Sequence, residues 1–233
     1  MPTDEKRPST AVVTLDGPAG VGKTTLARNV AEALGVFYMD TGAMFRTLAL
    51  RLGSGAEQLP AESLREACRQ WTFSLEGGGG HTRLLCNGAV VGDEIRTEEV
   101  GMLASRIAAV PVIRDILLEA QRALAEAGPL VAEGRDMGTV VFPQARHKFF
   151  LDAAPEVRAQ RRLLELRQRG MDADVNELAA QIRSRDALDR NRAVAPLRPA
   201  QDAILVDTSH LGIAEVQEVI LRHIRERGGL RRD

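Results

Sequence analysis

The sequence has few lysines, few cysteines and no long apolar run. The last two features each exclude a class of protein. Only three of its 31 basic residues are lysines, Lys6, Lys23 and Lys148, and all others are arginines. The two cysteines, Cys68 and Cys86, lack the number and spacing of a disulfide framework or a zinc site, so we expect a reducing, cytoplasmic compartment. No apolar run reaches transmembrane length, and residues 1–10 are polar rather than signal-like. We therefore expect no membrane partner.

The chain also lacks an excess of either charge. Its 31 basic and 32 acidic side chains leave a formal net charge of −1, which argues against nucleic acid as an electrostatic partner. A length of 233 residues suits one α/β domain with a sizeable core. We expect residues 11–233 to form a single, monomeric domain after a disordered tail over residues 1–10.

A glycine-rich loop that ends in Lys23 and Thr24 is the most informative stretch that is present. It fits the pattern G-x-x-x-x-G-K-[ST], whose backbone amides surround a triphosphate while the lysine reaches the β- and γ-phosphates. Glycines are needed because side chains would keep the backbone away from the phosphate oxygens. The Thr24 hydroxyl is the predicted Mg²⁺ ligand. The predicted triphosphate-binding residues are Gly17, Pro18, Ala19, Gly20, Val21, Gly22, Lys23, Thr24 and Thr25.

The surroundings of this loop support the same interpretation. The apolar run over residues 11–15 predicts a buried strand, and residues 24–34 carry apolar side chains at a helical period before Gly35. Strand, loop and helix in this order place the positive end of a helix against an anion. The alternative is a glycine-rich turn before an ordinary helix.

A second strand over residues 36–39 leads into Asp40-Thr41-Gly42 and another helix. Ligands bind at the carboxyl ends of strands in open α/β sheets, so Thr41 and Arg46 are placed for a second ligand. Arg46 could equally be an exposed helical charge. Ser105 and Arg114 flank a predicted helix junction at Pro111, and nothing local decides between a site and ordinary helix surface.

Residues 53–95 interrupt the α/β pattern. They predict a short helix, then alternating strands with a hairpin turn at Asn87-Gly88. This small antiparallel insert could be decoration or a flap over an acceptor site. After it, a buried strand over residues 130–132 runs into Arg135 and Asp136. Polar side chains at such a point are costly to bury, so we favour a functional role over a structural salt bridge.

The C-terminal part predicts two more strands, over residues 147–151 and 203–206, and three helices. The helix over residues 155–170 is rich in arginine, among them Arg158, Arg161 and Arg162. It could be a solvated face or a lid over the transferring phosphoryl group. The next helix ends at Arg185 to Arg192 with charges of both signs and no apolar stripe, which indicates either a site or a solvated segment.

Taken together, these pieces resemble the bacterial cytidylate kinase family from about Ala11 to Ile224. The first of the motifs is shared by many kinases, whereas the last two, in this order and spacing, are close to diagnostic. The motifs that carry the resemblance are Asp16 to Thr24, Asp40 to Gly42 with Arg46, Gly92 to Thr97, Gly134 to Pro143, and Asp189 to Pro196.

The resemblance implies a P-loop NTPase-like α/β fold, with a five-stranded parallel sheet flanked by helices, the acceptor-nucleotide insert at residues 53–95 and the lid at 155–170. It implies transfer of the γ-phosphoryl of ATP to CMP or dCMP with Mg²⁺. Thr41 stands where the family often has Ser, and Glu133 where Asp is common, which leaves the role of Glu133 open.

The resemblance also assigns roles to single residues. Lys23 and Arg161 would act on the ATP phosphates, Arg161 from the lid. Arg46, Arg135 and Arg192 would hold the acceptor phosphate. Ser105, Arg114 and Asp136 would read the cytosine, and Arg185 with Asp189 would hold the sugar.

The sequence shows no convincing nucleophilic triad and no obvious general base. A phosphate monoester has a second pKa near ~6, so it is already deprotonated at pH 7 and needs positioning rather than proton removal. Two alternatives stay open: a P-loop kinase of a small hydroxylated metabolite, and a nucleotide-switched binding module. The absence of an Asn-Lys-x-Asp segment for reading guanine weakens the second alternative.

Overall fold

Strands and helices alternate along most of the chain in the computed structural model, which describes residues 11–168 and 170–230. The predicted disordered tail over residues 1–10 lies outside the described residues. The strands are β1 (Val12–Asp16), β2 (Phe37–Asp40), β3 (Phe73–Glu76), β4 (Arg83–Cys86), β5 (Ala89–Val90), β6 (Leu130–Gly134), β7 (His147–Asp152) and β8 (Ile204–Asp207). The helices are α1 (Lys23–Leu34), α2 (Thr41–Leu52), α3 (Ala61–Cys68), α4 (Glu98–Ile107), α5 (Pro111–Glu126), α6 (Pro155–Gln168), α7 (Val175–Asn191) and α8 (Ile213–Glu226).

Five of the strands form one parallel sheet in the order β2-β6-β1-β7-β8. All five residues of the central strand β1 are buried, because helices cover both faces of the sheet. Val12 belongs to the apolar core on one face, and Val13 and Leu15 to the core on the other. The predicted α/β class with a five-stranded parallel sheet is confirmed.

The insert contains a three-stranded antiparallel sheet in the order β3-β4-β5. Asn87 and Gly88 join β4 to β5, both with positive φ (52° and 78°), as a tight hairpin turn requires. The first strand of this sheet, β3, pairs with β4 from Phe73 opposite Cys86 to Glu76 opposite Arg83. The turn at Gly79–His81 forms a short 3₁₀ helix that lies against α1 and β2.

Helices α6 and α7 pack against each other. The sequence left two alternatives for the arginines of α6, a solvated face or a lid. For Arg158 the solvated face is wrong, because its side chain is buried and pairs with Asp186 of α7. Near the end of α7, Asp186 and Asp189 are buried, whereas Ala187, Leu188 and Arg190 are exposed.

The sequence did not predict the π-helical turn at Met137–Val141, directly after β6. The helix expected to run to Val110 ends at Ile107, and α5 starts at Pro111. Within the described ranges, no helix is long and apolar enough to cross a membrane.

Candidate active site

The phosphate loop connects the end of β1 to the start of α1, as the sequence predicted. Gly17 has φ 149°, and a Cβ atom there would lie 2.1 Å from the carbonyl oxygen of Leu151, so no other residue fits without moving the backbone. Gly22 caps α1 with φ 88° and ψ 14°. The loop therefore has the conformation that glycines were expected to allow.

Lys23 is buried at the first position of α1, where its Nζ donates to the carbonyl oxygen of Pro18 at 2.6 Å. Burial lowers the pKa of this ammonium well below its usual range, and the nearby charge of Arg135 lowers it further. Glu133 and Asp16 only partly offset these effects. An anionic ligand beside Lys23 would favour its charged form.

Asp16 joins the phosphate loop to the segment after β6. Its two carboxylate oxygens accept hydrogen bonds from the backbone N–H groups of Met137 (2.9 Å) and Gly138 (2.8 Å). Burial raises the pKa of Asp16 to about 6 although both hydrogen bonds favour the ionised form. The sequence showed Asp16 only as part of a motif, and the structure gives it the role of holding the π-helical turn.

Glu133 lies at the end of β6, between Leu15 of β1 and Asp40 of β2 in the sheet register. Its buried carboxylate accepts a hydrogen bond from the hydroxyl of Tyr38. Burial and the charge of Asp40 raise its pKa, while Lys23 and the hydroxyls of Tyr38 and Thr24 lower it. A carboxylate that faces the Thr24 hydroxyl is the kind of donor set that Mg²⁺ prefers, so these two residues fit the metal.

Four arginines, Arg46, Arg135, Arg185 and Arg192, form what we call the arginine cluster. Burial lowers the pKa of Arg46 and Arg192 and brings that of Arg185 to about 10, and the charge of Arg135 lowers all three. Arg185 Nε and Arg192 Nη2 are buried without a hydrogen-bond partner among the described residues. The structure thus brings together like charges with unused donors, as an anion site requires.

Carboxylates neutralise only part of this charge. Arg135 Nε donates to Asp189 at 2.9 Å, and Arg192 Nη1 lies 3.9 Å from the same carboxylate. Burial would raise the pKa of Asp189, but Arg135 and Arg192 keep it below its usual value. Asp136 pairs with Arg114, both buried, so the two residues expected to read the base lie in contact.

The remaining predicted site residues differ in their surroundings. The Thr41 hydroxyl donates to the carbonyl oxygen of Glu133 at 2.7 Å. Ser105 lies half-buried on α4. Arg46 makes no hydrogen bond or ion pair within residues 11–168 and 170–230. Arg161 donates to the hydroxyl of Thr208 at 3.1 Å and to its carbonyl oxygen, which places it beside the loop after β8.

The profile of the cytidylate kinase family matches residues 13–226 of this chain. A cytidylate kinase from Nitratidesulfovibrio vulgaris (strain Hildenborough) is 63% identical over 94% of this chain and 94% of its own length. One from Oleidesulfovibrio alaskensis is 55% identical over 92% of this chain and 98% of its own. One from Lawsonia intracellularis is 47% identical over 91% and 95%.

Proposed function

This chain belongs to the cytidylate kinase family, and on that premise we propose how its residues share the work of phosphoryl transfer. It is an ATP-dependent nucleoside monophosphate kinase that transfers the γ-phosphoryl of ATP to CMP or dCMP, giving ADP and the diphosphate. The kinase of another metabolite and the nucleotide-switched binding module are not favoured by these matches.

The observation that carries the residue assignment is the arginine cluster. Arg46, Arg135 and Arg192 hold the dianionic phosphate of the acceptor, because their charges repel one another and Arg192 Nη2 has no hydrogen-bond partner among the described residues. A phosphate would supply both the negative charge and the acceptor oxygens that the protein lacks there.

The phosphate loop holds the other substrate. Lys23 leaves the carbonyl oxygen of Pro18 and bonds the β- and γ-phosphates of ATP, where charge develops during transfer. Thr24 and Glu133 are the residues that would hold Mg²⁺ beside the phosphates. Bound there, Mg²⁺ would neutralise phosphate charge and align the donor. Arg161 turns from Thr208 toward the transferring group.

No residue needs to act as a base in this mechanism. The attacking oxygen belongs to a phosphate whose second pKa is near ~6, so it carries no proton at pH 7. The arginine cluster fixes its direction of attack and offsets its repulsion by the γ-phosphate. An alcohol acceptor would instead require a carboxylate to remove a proton.

Base and sugar recognition falls to the residues around the Arg114–Asp136 pair. Asp136 accepts a hydrogen bond from the 4-amino group of cytosine, and Arg114 and Ser105 donate to acceptors on the same ring. Arg185 and Asp189 hold the sugar hydroxyls. We propose in addition that the protein acts as a cytoplasmic monomer. We also propose that it acts without nucleic acid, which its balanced charge supports.

The direct test is ADP formation by the purified protein with Mg·ATP and a panel of CMP, dCMP, UMP, AMP and small alcohols. We expect ADP to form with CMP or dCMP, and weakly or not at all with AMP or the alcohols. Variants Arg46→Met and Arg192→Met should raise the KM for CMP and leave the affinity for ATP unchanged. ADP formation that is independent of CMP and dCMP would contradict the proposal.

A further inference from the structure

Tyr38 is the only tyrosine in the chain, and nothing in the mechanism above uses it. It lies on β2, the edge strand that neighbours β6, and its side chain is buried with 3% exposed. Its hydroxyl donates to Oε1 of Glu133. A tyrosine that needed only to satisfy a buried hydroxyl could use a backbone carbonyl, yet this one is bonded to the carboxylate that faces Thr24 of the phosphate loop.

The ring of Tyr38 is itself held from several sides. The guanidinium of Arg28 on α1 stacks over it, with Cζ 4.6 Å from the ring centroid. The Tyr38 backbone N–H donates to the hydroxyl of Thr82 at 3.1 Å, and Arg28 donates to the carbonyl oxygen of Gly80 at 2.6 Å. Thr82 and Gly80 belong to the insert. The connection between β3 and β4 therefore holds the tyrosine against the central sheet.

Glu133 has a particular need for such a partner. A glutamate side chain has one more rotatable bond than aspartate, so more conformations must be lost before its carboxylate has a single direction. Because a carboxylate has two oxygens, a hydrogen bond that holds one of them also fixes where the other points. Partners of this kind orient the ligands of metal sites, and their loss typically costs about 10–100-fold in metal affinity or activity.

We propose that Tyr38 is a positioning residue, which directs the Glu133 carboxylate toward Thr24 and the Mg²⁺ that accompanies ATP. The inference rests on the proposed role of Glu133 and extends it to a residue outside the ligand's reach. The insert helps to hold Tyr38 in this position through Thr82 and Gly80. Its attachment to β2 therefore supports the proposed site for Mg·ATP as well as the proposed site for CMP.

The first experiment compares Tyr38→Phe with the wild type. The substitution keeps the ring and its contact with Arg28 and removes only the hydroxyl. We expect kcat to fall about 10–100-fold, the Mg²⁺ concentration needed for half-maximal rate to rise, and the KM for CMP to stay within about twofold. Calorimetry should show weaker binding of Mg·ATP, with unchanged binding of ATP in the presence of EDTA.

Thr47→Val is the matched control, because Thr47 is equally buried and its hydroxyl donates to the carbonyl oxygen of Ala43 at 2.8 Å, within α2. It removes one buried hydroxyl away from Glu133 and should leave the Mg²⁺ dependence unchanged. In a Glu133→Gln background, Tyr38→Phe should cause little further loss, since the two side chains act as one unit.

A spectroscopic readout does not depend on activity. Protein grown with 3-fluorotyrosine should give one ¹⁹F resonance, since the chain has one tyrosine. We expect the resonance to shift with Glu133→Gln and on addition of Mg·ATP, and to respond much less to ATP with EDTA. Inactive wild-type enzyme would overturn the proposed function itself. An active wild type with a Tyr38→Phe variant of unchanged Mg²⁺ dependence, or a resonance that ignores Mg²⁺, would overturn this inference alone.

Discussion

Two of the three lysines, Lys23 and Lys148, lie in the described part of the chain, and both are buried. Their surroundings support a catalytic role for Lys23 and a structural role for Lys148. Lys148 Nζ is held by both oxygens of Asp202 at 2.9 Å and by the carbonyl oxygen of Pro143. Among the residues that the structure describes, the Lys23 ammonium donates only to the carbonyl oxygen of Pro18. One lysine is thus fully paired within the protein, and the other is available to a ligand.

Replacing Lys23 by Met should therefore lower kcat far more than it raises the KM for ATP. The ammonium strengthens its interaction as charge moves to the β–γ bridge, and loss of one such group costs on the order of 10²–10³ in kcat. Steady-state kinetics with Mg·ATP and CMP measure both constants. Lys148→Met is the control, expected to lower thermal stability with little change in kcat. Near-normal turnover of Lys23→Met would exclude the role proposed for it.

Asp136 tests base selection. Placed opposite uracil, its carboxylate would face an oxygen, and sites built on such buried hydrogen bonds reject the wrong analogue by up to ~10⁴. We expect Asp136→Ala to lower kcat/KM for CMP much more than for UMP, because alanine has no oxygen that can accept a hydrogen bond from the 4-amino group of cytosine.

The same carboxylate also pairs with Arg114, so a purely structural role is the competing explanation. In that case both substrates should suffer equally, and the ratio of kcat/KM for CMP to that for UMP would not change. Circular dichroism of the variant separates this outcome from loss of the fold.

The motif residues could be found from the sequence because their spacing is local. Residues that act through distant partners could not be. The sequence left Arg158 on either a solvated face or a lid, yet it is buried against Asp186, 28 positions away. Tyr38 and Glu133 are 95 positions apart. No periodic pattern marks such pairs, since each forms only when two elements pack together.

Among the secondary-structure elements, α6 has two parts that differ in how strongly their side chains bond to the rest of the protein. Arg158 in its first turns donates to Ala153 and Asp186 and to the carbonyl oxygen of Ala19 in the phosphate loop, so this part is anchored. Further along, Arg162 pairs with the exposed Glu98 at the start of α4, across the site. Exposed pairs contribute little stability, so the outer part of α6 can move at small cost.

We therefore predict that closure of the proposed lid involves the part of α6 beyond Arg162, with the anchored turns at rest. Amide hydrogen exchange over residues 162–168 should slow when a bisubstrate analogue of ATP and CMP binds, because closure excludes water from the site. The peptide around Arg158 is the internal control and should exchange alike with and without the analogue. Identical exchange across the whole helix would contradict lid closure.

Most elements were predictable because their apolar periodicity is strong. The strands of the central sheet read as short apolar runs, and α1 has a helical period ended by a glycine with φ 64°. The π-helical turn at Met137–Val141 was not predictable. It depends on two hydrogen bonds to Asp16, which lies on another strand.

At the scale of the whole molecule, the two ends of the central sheet differ in the residues that they carry. The carboxyl ends of the strands carry the site, whereas His147 begins β7 at the opposite end. Its ring is fully buried, with Nε2 3.2 Å from the carbonyl oxygen of Gly229 and Nδ1 without a hydrogen-bond partner in the described residues. Burial lowers its pKa, and the charges of Arg146, Arg227 and His223 add to this effect.

The lowered pKa of His147 makes the free energy of unfolding depend on pH. The unfolded chain binds a proton at His147 near pH ~6.5, whereas the folded protein binds it only at lower pH, so the free energy of unfolding should fall as pH decreases below ~6.5. The slope for one proton is about 1.4 kcal/mol per pH unit. Asp16 acts in the opposite direction, since its pKa of about 6 in the fold lets it bind a proton before the unfolded chain does.

Urea unfolding at pH 7.5 and 5.5, for the wild type and for His147→Gln, isolates the histidine because Asp16 is common to both. The variant should lose less stability between the two pH values than the wild type does. Equal losses would show that His147 titrates alike in the folded and unfolded states.

Because the arginines of the cluster repel one another, we expect the cluster to bind small oxyanions other than the acceptor phosphate as well. Sulfate or inorganic phosphate should occupy it, compete with the acceptor and stabilise the fold by mass action, by about 2.7 kcal/mol at 100 times the dissociation constant. Melting temperatures should therefore rise with phosphate concentration more than with equal ionic strength of chloride. Apparent affinities for CMP measured in phosphate buffer should then be too weak, since inorganic phosphate would occupy the guanidinium groups that are proposed to bind the substrate.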